Sequence, residues 1–369
     1  MDEAIIGKCP LLKAGKNFLG QNNLAVIAVA LVLIIGGIIF LQGLKSNPSS
    51  QGNAQGELLK IDKSGYAKAP ELVGISGYIN TGPKISIASL KGKVVLVDFW
   101  TFSCINCIRT LPYLTSWDEK YRDKGLVIVG VHSPEFDFEK DYNNVVEAVR
   151  GHNIKYPVVQ DNDFATWRAY NNHFWPHKFL IDAEGYIRYD HIGEGSYNET
   201  EMKIVELLKE RDSALEVEMP SGGGAPVQAP DFSRIGTPEI YLGSNFARTP
   251  LGNEEGFALT GPVDYYFPDS FGPNLAYFSG TWKTEADYSG LLSDSGKVAL
   301  IYTAKTVNIV ASSPQGSELR VFIDGAEAGG LSVGGEKLYV LNSGADYSQK
   351  TLEFEISGKG FRIYTFTFG

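Results

Sequence analysis

Two cysteines separated by two residues are the clearest candidates for chemistry in this chain. Cys104 and Cys107 follow an apolar run, residues 94–100, at the point where a helix is predicted to begin. Residues three apart share one face of a helix, so the two thiols can close a disulfide. Unpaired N–H groups and the helix dipole at that end favour the thiolate form of Cys104. The spacing predicts a redox site in which one thiol attacks and the other resolves.

One carboxylate interrupts the apolar run before the pair. Asp98 lies among valines and a leucine on a strand that we expect to be central. An ionised side chain there is costly unless it has a partner or a chemical role. An ion pair with a nearby lysine such as Lys93 and a part in the redox chemistry are both open at this point.

Structural and metal-binding interpretations of the cysteines are weak. A disulfide across one helical turn closes a very short loop and stabilises little. The third cysteine, Cys9, is far away, and three thiols are too few for a disulfide framework or a four-thiolate zinc site. His173 and His177 are four apart, but Pro176 between them breaks the helix that a metal-binding pair would need. We therefore predict no metal.

Size and charge narrow the function classes. A chain of 369 residues is too long for one compact core and predicts two or more domains. Its net charge of −10 repels phosphate backbones, so we expect no nucleic-acid partner.

The N-terminal region predicts a membrane anchor. Residues 24–41 are 18 consecutive uncharged and mostly apolar residues, and we place a transmembrane helix over 24–44. Three lysines in residues 1–23 favour a cytoplasmic N-terminus and an extracytoplasmic bulk. A cleaved signal peptide is the alternative. Residues 45–68 are polar and predict a flexible tether.

Residues 69–218 alternate between strand and helix patterns, which is typical of a layered α/β domain. We predict strands over 94–100, 126–132, 156–160, 178–182 and 186–191. We predict helices over 104–124, 136–152 and 164–170, and a last helix from a cap at Asn198 to residue 214.

The rest of the chain predicts a second, all-β domain. Residues 219–230 are rich in Gly and Pro and form a linker. Short alternating runs in residues 231–369 predict a β-sandwich, with strands over 298–303, 306–311, 319–323, 337–341, 351–356 and 361–368. Trp282 is expected in its core, although an exposed tryptophan could hold a sugar.

The residues around the cysteines resemble a thioredoxin-fold thiol–disulfide oxidoreductase with a membrane anchor. Asp98 lies six residues before Cys104, Trp100 four before it, and Pro112 five after Cys107. Residues 131–136, 156–163 and 175–182, with much of 237–369, are similar to the extracytoplasmic part of DipZ-type proteins. In that family the second domain is a β-sandwich like the jelly rolls of carbohydrate-binding modules.

The resemblance assigns roles at the site. Asp98 would accept the proton of Cys107. Pro176 would be held in cis beside the sulfurs, where the backbone of Trp175 could pair with an extended substrate. A trans proline that ends a loop is the alternative.

Three further residues are site candidates with two interpretations each. Trp100 is predicted to wall the site and contact substrate, with a place in the core as the alternative, and Phe102 either walls the site or belongs to the core. Glu135 falls in the family insertion, where it either moves protons near the pair or is a solvated loop carboxylate.

Together these features predict an extracytoplasmic, membrane-tethered oxidoreductase that acts more as reductase than oxidase. Its substrates would be disulfide-containing extracytoplasmic proteins, and it needs no cofactor beyond a Cys104–Cys107 disulfide. With a single predicted span, a separate membrane protein would donate or accept its electrons. A thiol peroxidase is an alternative, but the proline of that pattern would fall at Val97. The other alternative is a cell-surface protein whose β-sandwich binds a glycan or peptide.

Overall fold

The computed structural model describes residues 62–218 and 229–369. The predicted segments 1–23 and 24–44, and most of the tether 45–68 and of the linker 219–230, lie outside these residues. In the two described stretches, no helix is both long and apolar enough to cross a membrane.

The first domain is built on a six-stranded sheet with the order β1-β4-β3-β2-β5-β6. Its elements are, in chain order, β1 (Gly77–Ile79), β2 (Val94–Trp100), α1 (Ile105–Tyr121), β3 (Leu126–His132), α2 (Tyr142–Gly151), β4 (Val158–Gln160), α3 (Ala165–Ala169), β5 (His177–Ile181), β6 (Ile187–Ile192) and α4 (Tyr197–Arg211). Strand β2 pairs parallel with β3 and antiparallel with β5. The α/β alternation predicted for this region is thus observed.

Every residue of β2 is buried, because helices or loops cover both faces of the sheet. Alternate side chains enter different cores: Leu96 and Trp100 pack with α1, α2 and α4, whereas Val97 and Phe99 pack on the opposite face. The same alternation directs Asp98 to the face that α1 covers. The strand thereby aims its single carboxylate at the helix that carries the cysteines.

Two predicted helices differ from those observed. The helix expected over 136–152 is a 3-10 turn, Asp137–Lys140, followed by α2, because the Asp141 side chain accepts N–H bonds from Asn143 and Asn144 and starts a new helix. The predicted cap at Asn198 is wrong. Ser196, with a φ of 44°, precedes the first turn of α4, and the helix ends at Arg211 rather than at residue 214.

Residues 229–369 form an all-β domain in one continuous sheet of eleven strands. The strands are β7 (Ile240–Tyr241), β8 (Val263–Tyr265), β9 (Ala276–Thr284), β10 (Ser289–Leu291), β11 (Ser295–Thr303), β12 (Thr306–Ser312), β13 (Ser317–Ile323), β14 (Ala326–Val333), β15 (Lys337–Ser343), β16 (Gln349–Ser357) and β17 (Arg362–Phe368). The prediction did not include β7, β8, β9, β10 or β14.

The two layers expected of a sandwich are joined through β9. Its first half pairs with β11 and its second half with β8 and β10. The change of partner falls at Gly280, whose φ of 102° is strained for any side chain and where an added Cβ would lie within 3.0 Å of the Ser295 carbonyl oxygen. Both halves of the sheet enclose one core, in which Trp282 is fully buried and stacks on Phe278 at 4.3 Å. The expectation that Trp282 is a core residue is confirmed.

The two domains pack together through aromatic side chains. Phe136 and Phe138, from the segment after β3, contact Tyr364 of β17 at ring distances of 5.2 and 4.9 Å. The backbone N–H of Asp137 donates to Asp287 of the second domain at 2.8 Å. Residues 63–369 form one compact unit. The segment 133–141 therefore touches the second domain while it borders the cysteines.

Candidate active site

Cys104 is the N-cap residue of α1, and Cys107 lies in its first turn. The Sγ atom of Cys104 accepts a hydrogen bond from the Cys107 N–H at 3.5 Å. Both residues are free thiols. Cys104 is half-buried, whereas Cys107 is only 1% exposed. An incoming disulfide can therefore reach Cys104 directly, and Cys107 can react only from behind it.

Burial controls the protonation of Cys107. Loss of hydration raises the pKa of this thiol well above its usual value, and the adjacent Cys104 and the charge of Asp98 raise it further. A backbone hydrogen bond from Thr101 opposes the shift. Cys107 thus stays a thiol until a base accepts its proton.

Asp98 is a buried carboxyl group on the same side of the sheet. It is 1% exposed, and among the described residues its Oδ1 has no hydrogen-bond partner. Burial raises its pKa to about 7, and the charge of Lys178 lowers it in part. The lysine that acts on Asp98 is thus Lys178, not Lys93.

Lys178, on β5, is a site residue that the sequence analysis did not single out. It pairs with Asp98 in the β2–β5 register, is 1% exposed, and donates to the Gly193 carbonyl at 3.0 Å. Burial lowers its pKa. Asp98 was singled out because it is a charged residue within an apolar strand. Lys178 fits the same pattern in β5 and could have been predicted in the same way.

Trp100 and Phe102 both pack behind the cysteines. Trp100 is fully buried, with its ring edge-on to His132 at 5.2 Å, and Phe102 stacks on the other side of His132 at 5.6 Å. Burial lowers the pKa of His132 to about 3, so this unpredicted neighbour is neutral. The prediction that Trp100 contacts substrate is corrected: its side chain has no exposed surface and supports the site from within.

The Trp175–Pro176 peptide bond is cis, as the resemblance implied. Phe99 pairs with His177, so the register of β5 on β2 places Pro176 beside the end of β2, where the loop to Cys104 begins. The Trp175 indole donates to the Ser133 carbonyl at 3.0 Å and lies 4.4 Å from the ring of Trp167. Trp175 is half-buried and Pro176 is buried.

Glu135 is not a solvated loop carboxylate. It is half-buried and accepts a 2.6 Å hydrogen bond from the Tyr241 hydroxyl of the second domain. Burial raises its pKa to about 8, with further contributions from the nearby carboxylates of Glu139 and Glu239. The sequence gives no sign of the contact with Tyr241, because the two residues are 106 positions apart.

Glu139 is a further acidic residue near the site, and unlike Asp98 and Glu135 it was not singled out from the sequence. It is fully buried and accepts a hydrogen bond from the Ser103 hydroxyl at 2.5 Å and another from the Phe136 N–H at 3.0 Å. Ser103 is next to Cys104, so this carboxyl ties the segment 133–141 to the cysteine loop. No group of three or more potential ligands capable of holding a metal occurs in residues 62–218 and 229–369.

Known proteins share both halves of this arrangement. Residues 67–208 match the Redoxin family model, and residues 237–369 match the family model of the thioredoxin-like C-terminal domain. The chain is 30% identical over 128 residues to the thiol–disulfide oxidoreductase ResA of Bacillus thuringiensis. The aligned region covers 35% of this chain and 69% of ResA. The chain belongs to the thioredoxin-like thiol–disulfide oxidoreductases.

This oxidoreductase is also similar to longer proteins. It is 37% identical over 344 residues to protein DipZ of Mycobacterium bovis. The aligned region covers 91% of this chain and 47% of DipZ. The chain thus spans about half the length of the DipZ proteins that it matches, and the resemblance to them is confirmed. The solution structure of a thioredoxin-like protein in its oxidised form is 28% identical and covers 39% of this chain and 97% of that one, with a TM-score of 0.37.

Proposed function

We propose that this oxidoreductase reduces disulfides of extracytoplasmic proteins through Cys104 and Cys107. The observation that carries the proposal is the order of three groups: a reachable thiol at a helix N-terminus, a buried thiol one turn on, and a buried carboxyl, Asp98, whose pKa of about 7 suits proton transfer at neutral pH.

Reduction would proceed in two exchanges. The Cys104 thiolate attacks one sulfur of the substrate disulfide, a mixed disulfide forms, and the other substrate sulfur leaves and takes up a proton. Cys107 then gives its proton to Asp98 and attacks the sulfur of Cys104, which forms the Cys104–Cys107 disulfide and breaks the mixed disulfide; the second substrate sulfur leaves as a thiolate and takes up a proton. The substrate gains two electrons and the enzyme loses two.

The backbone of Trp175 would offer a docking place for the substrate. It lies at the start of β5, next to the loop that carries Cys104. An extended substrate segment would pair there with the backbone of Trp175 and bring its disulfide to Cys104. Trp100 and Phe102 would hold the loop from behind.

The remaining parts of the proposal concern location and electron supply. The apolar residues 24–44 would anchor the chain in the cytoplasmic membrane, with residues 1–23 inside. A separate membrane protein would return the two electrons that each cycle uses. Cysteine-labelling accessibility at Cys9, set against that of Cys104, would report the two sides of the membrane.

Trapping of the mixed disulfide tests the mechanism. In Cys107→Ser the second exchange cannot occur, so covalent adducts to extracytoplasmic proteins should accumulate through Cys104. Cys104→Ser is the matched control and should trap none. If Cys107→Ser accumulates no adduct while the wild type reduces disulfides, the assignment of Cys107 as resolving thiol is wrong.

A surface groove in the second domain supports an additional binding role. It has a volume of about 590 Å³ and is lined by Tyr266, Thr281, Lys297 and Glu355, among others. Tyr266 is 77% exposed, and an exposed aromatic ring beside polar groups suits a neutral sugar or a peptide. Glycan-array binding by the full chain, lost in Tyr266→Ala, would support this role, and equal binding by both would exclude the groove.

A further inference from the structure

The second domain brings a tyrosine to the edge of the redox site. Tyr241 lies on β7, which pairs with β17, and its ring packs against Phe136 and Phe246 at 6.3 and 5.8 Å. Its hydroxyl oxygen is 2.6 Å from Oε1 of Glu135 and 3.2 Å from Oε2 of Glu239. We call Tyr241, Glu135 and Glu239 the Tyr241 cluster.

The number of hydrogens in the Tyr241 cluster is informative. A phenol has one hydrogen and can donate it to one carboxylate at a time. With both carboxyl groups ionised, one oxygen would face the phenol oxygen with no hydrogen between them. Both contacts are favourable only if one carboxyl holds a proton and donates it to the hydroxyl. The geometry therefore fits a cluster that stores one extra proton.

The charges around the cluster are mixed. The negative groups that face Glu135 are Glu139 and Glu239. Arg248, whose guanidinium lies 5.7 Å from the centre of the Tyr241 ring, has the opposite effect and favours the ionised form of Glu135. The groove beside Glu135 adds four more charged side chains, Asp137, Lys140, Glu285 and Asp287. Glu139 already accepts bonds from Ser103 and Phe136, so its oxygens are committed.

The cluster connects solvent with the place where a substrate would bind. Glu239 is exposed to solvent. Many protein atoms nevertheless surround its carboxyl group, and the resulting loss of hydration raises the pKa of Glu239, as it does that of Glu135. Glu135 lines a groove of about 680 Å³ together with Trp175, which precedes the cis proline. The charge of Cys104 acts on Tyr241, so the nucleophile lies within electrostatic range of the cluster.

We propose that the Tyr241 cluster stores a proton at the mouth of the redox site and that Glu135 delivers it to the substrate thiolate that leaves when Cys104 attacks. This inference rests on the proposed disulfide exchange. The bond from Cys104 to sulfur forms, the substrate disulfide breaks, and the leaving thiolate becomes a thiol as Glu135 ionises. Glu239 takes a proton from solvent and Tyr241 passes it on. Tyr241 is a positioning residue, supplied by the second domain.

The test compares two disulfides in single-turnover reactions with the reduced full chain. Glutathione disulfide releases a basic alkyl thiolate that gains from protonation, whereas an aromatic disulfide such as dithiobis(nitrobenzoate) releases a thiolate that is stable without it. The ratio of the two rate constants cancels the ionisation of Cys104, which is common to both. The variants are Glu135→Gln, Tyr241→Phe and Glu239→Gln.

In the wild type, the rate constant for glutathione disulfide divided by that for the aromatic disulfide should fall above about pH 8, where Glu135 ionises. Glu135→Gln should lower glutathione disulfide reduction on the order of 10²-fold near pH 7, abolish this fall, and leave the aromatic disulfide unaffected. Tyr241→Phe removes a bond to the ionised carboxylate and should move the fall to higher pH. Glu239→Gln removes a like charge and should move it to lower pH.

Tyr364→Phe is the matched control, because Tyr364 belongs to the same aromatic interface and its replacement leaves the Tyr241 hydroxyl in place. It should retain the wild-type ratio. The inference is overturned if Glu135→Gln affects both disulfides equally, or if Tyr241→Phe keeps the wild-type pH profile while its aromatic-disulfide rate shows an intact site. Failure of Cys107→Ser to trap adducts would instead overturn the proposed function, so the two failures are distinguishable.

Discussion

Replacing Asp98 by Asn would reveal how the fold accommodates a carboxyl group at its centre. The side chain is 1% exposed and its pKa rises from 3.8 to about 7 through burial. Asn has nearly the same shape and never ionises. We expect Asp98→Asn to gain stability over the wild type as the pH rises from acid to neutral. The difference in unfolding free energy between the two proteins has a part that depends on pH, which vanishes in acid, and a part that is the same at every pH.

The size and the pH window follow from the shift. A carboxyl whose folded-state pKa is raised leaves the protein most stable below the unfolded value of 3.8, and stability is lost as pH rises through the folded value of about 7. Each pKa unit is worth about 1.4 kcal/mol, so roughly 3 units give about 4 kcal/mol above pH 7. This is an upper value, because the variant leaves the buried Lys178 without the carboxylate that stabilises its charge.

Urea unfolding of the reduced full chain at intervals from pH 4 to pH 8 measures this difference. The gap in unfolding free energy between Asp98→Asn and the wild type should widen across the window and level off above pH 7. Asp123→Asn, which alters an exposed carboxylate in the same domain, should show no such trend. A gap that stays constant over the whole range would refute the reasoning, since Asp98 would then not be a carboxyl that burial keeps protonated.

Asp98→Asn has a second expected effect, and two other changes have defined outcomes. Asp98→Asn should also prolong the mixed disulfide on Cys104 on the order of 10²-fold at pH 7, measured by quenched-flow trapping, because Cys107 loses its proton acceptor; an unchanged lifetime would exclude this role. Gly280→Val should lower the unfolding free energy by 2 kcal/mol or more, on the order of a strained φ together with a steric clash, as measured by denaturation; wild-type stability would contradict the tight turn in β9. Ser103→Ala should speed alkylation of Cys104, because it removes the hydroxyl that donates to Glu139 and so loosens the loop; an unchanged alkylation rate would show that the Ser103 bond does not hold that loop.

The sequence was sufficient to predict the elements that present the cysteines. The apolar run of β2 and the start of α1 at Cys104 follow from local patterns, whereas the cis conformation of Pro176 was implied only by the family resemblance, and the structure has all three. Local signals suffice here because a buried strand and a helix start are each encoded within a few adjacent residues.

Contacts between distant residues could not be predicted in this way. The pairing of Asp98 with Lys178 depends on the β2–β5 register, and the bond between Tyr241 and Glu135 depends on the packing of two domains. Neither leaves a trace in neighbouring residues. The missed strand β14 is exposed and contains two glycines, so it lacks the apolar alternation by which strands are recognised.

The aromatic interface on segment 133–141 has a consequence for the handling of the redox domain without its partner. Phe136 is 1% exposed because Tyr364 and its neighbours cover it, and the same short segment holds Glu135 and Glu139. A redox domain cut off at residue 218 would present a bare aromatic patch and aggregate readily. The two halves of this oxidoreductase therefore depend on each other to keep this aromatic patch out of water.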